Sequence, residues 1–158
     1  KIIPILLLTI LTMVGCSTLD CPLNNTVYTK YKLDGTVTEL TGCTMTVSTT
    51  KRDGEDSILI NKDENVDSFI LPMSYANSAD TLYFEVQDRL ERVFKDTVIV
   101  AKDNQPHFES IDCSPSYFHT ITGVKTTQHL IDSIVINHKD VNFDATKTHF
   151  LIYFGTRE

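Results

Sequence analysis

The sequence predicts an all-β fold: a single antiparallel β-sandwich, immunoglobulin-like, with little or no helix. Short runs of apolar residues alternate with polar ones along most of the chain, and no long window shows the ~3.6-residue apolar period of a helix. Turn signals separate these runs at a spacing of about ten residues, the rhythm of a sandwich. The composition agrees, since eight Phe, six Tyr and many Thr, Val and Ile favour strands.

Val27, Thr29, Tyr31 and Leu33 alternate with Tyr28, Lys30 and Lys32, the two-residue period of a half-buried strand. Asp34-Gly35 then reads as a hairpin turn, and residues 36–40 and 43–50 continue as strand across Thr41-Gly42. Asp53-Gly54 turns the chain into a strand over 56–61. A polar loop at 62–65 leads to a strand over 69–74, which should lie at an edge or end at Pro72, because Pro has no amide to donate. Leu82, Phe84 and Val86 alternate with polar neighbours, and a strand over 93–102 follows the short connection 88–90 as a second hairpin. Strands over 106–113, 117–122, 130–137 and 148–154 complete the set, with Phe150, Ile152 and Phe154 on one face of the last. Residues 56–61, Asp-Ser-Ile-Leu-Ile-Asn, nearly repeat as Asp-Ser-Ile-Val-Ile-Asn at 132–137. Two equivalent strands, each entered by an Asp at a turn, account for this echo.

The strands are expected to form one domain, residues 23–158, behind a leader. From Ile2 to Gly15 only Pro4, Thr9, Thr12 and Gly15 interrupt an apolar run that as a helix spans about 21 Å, short of a ~30 Å bilayer core. Residues 1–15 therefore read as a signal peptide, with Lys1 from its positive n-region, and not as a membrane span. Met13-Val14-Gly15-Cys16 looks like a bacterial lipobox, with Met13 where Leu is usual. That assigns lipidation to Cys16 and makes residues 16–22 a lipidated tether to the membrane, each buried acyl methylene contributing roughly 0.8 kcal/mol. Ser17-Thr18-Leu19 replace the acidic residues of a surface-export signal, so the expected location is the outer membrane, facing the periplasm. Removal of Lys1 leaves 13 basic against 21 acidic side chains, a charge of −8, which argues against nucleic acid as a partner.

With Cys16 committed to lipid, Cys21, Cys43 and Cys113 form an odd set that permits three single pairings. An oxidising compartment favours one disulfide. Cys21–Cys113 is the favoured pairing, since it staples the start of the mature domain to a distant strand end.

Five segments together resemble an uncharacterised family of Bacteroidetes lipoproteins. They are Phe69-Ile70-Leu71-Pro72-Met73, Asp80-Thr81-Leu82, Phe108-Glu109-Ser110-Ile111-Asp112-Cys113, Ile131-Asp132-Ser133-Ile134-Val135-Ile136 and Phe150-Leu151-Ile152-Tyr153-Phe154. The resemblance covers essentially the whole mature chain. It implies an exported, lipid-anchored β-sandwich with no assigned reaction and an outer-membrane barrel protein as a partner. It also implies cysteines at Cys21 and Cys113, a second reason to pair them, and sets Cys43 apart as peculiar to this sequence.

Candidate chemistry is thin. Asp63-Glu64-Asn65-Val66-Asp67 and Asp140-Val141-Asn142-Phe143-Asp144 open like calcium loops, but the sixth position is Ser68 or Ala145 instead of Gly. The twelfth is Ser74 or Leu151 instead of Glu, so no metal site is assigned. His107, His119, His129, His138 and His149 are scattered without metal-ligand spacing and read as surface or edge residues. There is no Gly-x-Ser-x-Gly and no Gly-rich phosphate loop, so neither a catalytic residue nor a cofactor is assigned. Asp-Ser/Thr-aliphatic tripeptides at Ser57, Thr81, Thr97 and Ser133 look like acceptor sites of Bacteroidetes O-glycosylation. The expectation is thus a non-enzymatic binding or structural component of the cell envelope. The alternative is a calcium- or glycan-binding accessory module in polysaccharide capture, with Tyr117 and Phe118 beside His119 as its platform.

Overall fold

The computed structural model describes residue 21, residues 25–51 and residues 53–155. The expected signal peptide, Cys16 and all of the tether except Cys21 lie outside the described residues. The described chain is strand and connection throughout: β1 (Tyr28–Asp34), β2 (Thr44–Thr50), β3 (Asp56–Glu64), β4 (Ser68–Pro72), β5 (Ala79–Gln87), β6 (Val93–His107), β7 (Ser116–Thr126), β8 (Ile131–Ile136), β9 (Asp140–Val141) and β10 (Phe150–Phe154). A four-stranded sheet runs β4-β1-β10-β8 and a six-stranded sheet β3-β2-β5-β6-β7-β9. The two pack face to face as the predicted β-sandwich.

The sandwich is not wholly antiparallel. β1 and β10 run parallel, Tyr31 opposite Phe150 and Leu33 opposite Ile152. The cause lies at Asp34-Gly35, which turns the chain without making a hairpin. Gly35 takes φ 86°, where a Cβ would stand 2.8 Å from the Tyr153 ring, so the turn and its packing both favour glycine. Residues 36–43 then cross to the large sheet, the Leu40 amide bonding the Val66 carbonyl, and the predicted strand over 36–40 does not form. β1 is left to pair with β4 on one side and β10 on the other.

Three smaller differences follow from local chemistry. The predicted loop at 62–65 is mostly strand, because β3 stays paired to β2 as far as Glu64 opposite Thr44 through register shifts. The predicted strand over 106–113 survives only as Pro106 and His107 at the end of β6; beyond them the Cys113 amide closes a turn on the Ser110 carbonyl. The two-residue β9 was too short to show any period. Pro72, in contrast, ends β4 at an outer edge, as its missing amide requires.

The two-residue period delivers the core. Tyr31 stacks between Phe69 at 5.0 Å and Phe150 at 4.7 Å within the small sheet, and Phe69 reaches across to Phe84 of the large sheet at 5.9 Å. Met45, Val47, Val98, Val100, Ile121, Ile131 and Ile152 fill the space around them, each burial stabilising by roughly 1.5–3 kcal/mol. The echoing strands are β3 and β8, an edge of each sheet. They differ in phase at their start, since Ile58 points to solvent while its counterpart Ile134 packs on the core, and they come into step at Ile60 and Ile136, which both pack on it after the register shift in β3.

Candidate functional site

The start of β1, the 73–78 connection, the end of β6, the start of β7 and the 108–115 loop all meet at one end of the sandwich. The pairings Tyr28–Pro72, Ala79–Ala101 and His107–Ser116 bring them there. β6 governs what this end contains. Its inward positions are Asp96, Val98, Val100 and Lys102, so two charged residues share the buried face with two valines.

Lys102, with its side chain fully buried, ion-pairs with Asp80 at 2.8 Å and donates to Ser74 Oγ at 3.2 Å and the Asn77 carbonyl at 3.0 Å. Its three protons are all used, which is how a buried ammonium is tolerated. Ser74 donates its hydroxyl and its amide to Asp80, closing the cluster. Next along β6, Asn104 donates to the Tyr75 and Asn77 carbonyls at 3.1 and 2.9 Å. Its Oδ1 is therefore the acceptor in the 2.7 Å bond to His119 Nδ1, which places the imidazole proton on Nδ1 and leaves Nε2 as an acceptor. Burial first, and then the Lys102 charge, push His119 down to about 4, against the opposing charge of Asp80. His119 is neutral at pH 7.

Next to this polar cluster, with His119 belonging to both, lies a cleft of ≈ 340 Å³. Val27, Met73, Tyr75, Pro115 and Tyr117 supply apolar walls, and Asn25 and His119 supply polar edges. Tyr75 and Tyr117 stack at 5.2 Å and 20°, with Tyr75 67% exposed above its partner. Asn25 Oδ1 is buried and has no hydrogen-bond partner among the described residues. The walls suit an apolar or planar group, and the two available acceptors suit a ligand that brings N–H or O–H donors.

At the opposite end of β6, Asp96 organises a different junction. Its buried carboxylate accepts the Thr127 hydroxyl and the amides of His129, Leu130 and Ile131 at 2.5–2.9 Å, pinning the point where the chain leaves β7 for β8 in the other sheet. Burial pushes this carboxyl up, but those four donors together outweigh it and hold it below the usual carboxylate range.

The structure distributes the expected site residues unevenly. Cys21 and Cys113 are joined by a disulfide, Cα–Cα 5.5 Å, and Cys43 is a free, half-buried thiol. Tyr117 and Phe118 do not form one platform, because successive strand residues face opposite ways. Tyr117 enters the cleft, whereas Phe118 stacks on His107 at 4.2 Å and meets Phe143 edge-on. His119 and His149 are buried, 3% and 1% exposed, contrary to the surface reading. His149 Nδ1 accepts the Lys30 amide and the His149 amide bonds the Lys30 carbonyl, so this residue extends the β1–β10 ladder. Of the two acidic stretches, 63–67 is the end of β3 and the bend after it, where Asn65 Oδ1 accepts the Gly42 amide, and 140–144 runs from β9 into a turn where Thr146 donates to Asp144. Ser133 is exposed on edge strand β8 and Ser57 half-buried on edge strand β3, whereas Thr81 and Thr97 lie in the interior strands β5 and β6. Asp96, Lys102 and Asp80 went unread as a set, although counting every second residue back and forward from Val98 and Val100 puts Asp96 and Lys102 on the core face.

Fold and cleft together define a two-sheet β-sandwich domain with a recognition-sized cavity at one end. Residues 44–154, from the start of β2 to the end of β10, match a family of unknown function, DUF6452, and the chain belongs to that family. No curated protein and no solved structure matches the chain.

Proposed function

We propose that this chain is a non-enzymatic binding domain of the bacterial cell envelope, held at the outer membrane by lipid on Cys16, facing the periplasm, and gripping another envelope component in the cleft beside Tyr75 and Tyr117. The observation that carries this reading is the lining of the cleft, which is mostly apolar and aromatic and has no charged side chain. Lys102, Asp80 and Ser74 saturate one another, and His119 is neutral with its Nδ1 proton given to Asn104. What remains for a ligand is an apolar and aromatic wall with two acceptors, Asn25 Oδ1 and the Nε2 of a weakly basic His119, which is equipment for recognition. An outer-membrane barrel protein is the partner that the resemblance to Bacteroidetes lipoproteins suggests.

The test is affinity capture from native envelopes with quantitative mass spectrometry, comparing wild type with the Tyr75→Ala/Tyr117→Ala double variant. A reproducible envelope protein that is depleted several-fold in the variant supports the reading. Recovery of no reproducible protein, or equal recovery with both, contradicts it. The broad exposed face of Tyr75 also favours a second reading, stacking of a pyranose ring in a glycan-binding module. Retardation of the wild type, but not of Tyr75→Ala, in gels containing envelope polysaccharide would select it.

A further inference from the structure

We infer that the 108–115 loop rests on the lipid surface, with Phe108 and Ile111 set among the headgroups, so that the anchored domain stands with its cleft end toward the bilayer. The inference rests on the lipidation of Cys16 proposed above. Ile111 is 96% exposed and Phe108 59% exposed on a loop whose only covalent fixture is the disulfide from Cys113 to Cys21. Apolar side chains standing this far out of a core mark a surface that something covers. The disulfide says what is within reach. Cys21 lies five residues from Cys16, about 17 Å when fully extended, and the disulfide adds 5.5 Å between the two Cα atoms, so Cys113 stays within about 23 Å of the acylated cysteine whatever path the chain takes.

The rest of that end agrees. Tyr75 is 67% and Phe143 42% exposed there, and both belong to connections bordering the same end of the sandwich. The loop carries Glu109 and Asp112, and Glu109 is already engaged by His107 Nε2 at 3.1 Å. These carboxylates and the −8 charge of the mature chain oppose an anionic surface, so the seat is shallow and on zwitterionic lipid. A cleft held in this position meets components embedded in the membrane before soluble ones.

The chain contains no Trp, so single Trp reporters are unambiguous. Ile111→Trp and Leu90→Trp, the latter 75% exposed in the β5–β6 connection at the far end, are prepared as the membrane-extracted, full-length mature protein and reconstituted in phosphatidylcholine–phosphatidylethanolamine vesicles with brominated acyl chains. Intact mass of the same samples reports the acyl chains. With acyl mass present, the Ile111→Trp emission shifts to the blue and is quenched at least about twofold, while Leu90→Trp stays unquenched. Acyl mass with both reporters unquenched, or both quenched alike, overturns the seating and leaves the anchor standing. Membrane-extracted protein without acyl mass overturns the anchor, and the seating falls with it.

Discussion

Replacing Asp96 by Asn keeps the volume of a fully buried side chain and changes only its hydrogen-bonding sense. Oδ1 accepts the Thr127 hydroxyl and the His129 amide, and Oδ2 accepts the Leu130 and Ile131 amides. An amide group presents one oxygen, so one of these pairs must face an NH2. If the NH2 takes the Oδ1 side, the Thr127 hydroxyl can rotate to accept, but the His129 amide is orphaned. If it takes the other side, two amides are orphaned. One buried orphan costs about 1–3 kcal/mol, and the bonds that survive lose their charge assistance, so Asp96→Asn should lose about 3 kcal/mol. For a domain of this size that lowers Tm by about 10 °C. The loss is localised, so amide exchange at residues 129–131 should accelerate well before that of the β5–β6 hairpin. Because the folded carboxyl titrates below its ordinary value, its stabilisation is complete above pH ~3.8 and is lost only as pH falls through the depressed value. The gap between wild type and Asp96→Asn in urea unfolding should be constant from pH 7 to pH ~4 and close below it. A variant within about 0.5 kcal/mol of wild type at pH 7 would refute the pinning role, since substitutions free of such features fall in that range.

Lys102→Met should cost about 3–5 kcal/mol, because Asp80 is left with its charge uncompensated, and adding Asp80→Asn should recover much of it in a double-mutant cycle of urea melts. Acid should weaken the fold earlier through His119: its folded value of about 4 lies below the unfolded 6.5, so the neutral form stabilises fully above pH ~6.5 and the benefit drains away toward pH 4. That loss is roughly 2–3 kcal/mol after allowance for water in the cleft, and His119→Asn, which keeps a donor toward Asn104, should flatten this part of the pH curve. Cys113→Ser should destabilise by about 4–5 kcal/mol on the chain-entropy account of a closed loop with a separation of 92 residues, read as a drop in urea midpoint. Thiol titration of the unfolded, unreduced Cys16→Ala chain should find Cys43 alone; a count of three would contradict the disulfide.

Periodicity carried the local part of the fold. Leu82-x-Phe84-x-Val86, the run through Val98 and Val100, and Phe150-x-Ile152-x-Phe154 announce their buried faces, and Pro72 announces an edge, because each signal depends on a residue's own side chain or missing amide. The parallel β1–β10 pair was not legible, since nothing in Tyr31 or Phe150 names its opposite across more than a hundred positions; the pairing follows from Gly35 steering the chain out of the small sheet. The cleft was half legible. Tyr117 and His119 were singled out as a surface group with Phe118, but alternate strand residues must divide between faces, and Tyr75 had no sequence signal to join them. Asp96 and Lys102 were masked by their charge, which suggests solvent until the strand's parity is counted.

The claim that this domain recognises an envelope component through its cleft end is tested most directly by photo-crosslinking in living cells, with a photoreactive amino acid at Tyr75 in one strain and at Leu90 in another. The account predicts a discrete crosslinked adduct from position 75 and none from position 90, since the first overhangs the cleft and the second sits at the far end. The same adduct from both positions, or from position 90 alone, would contradict it.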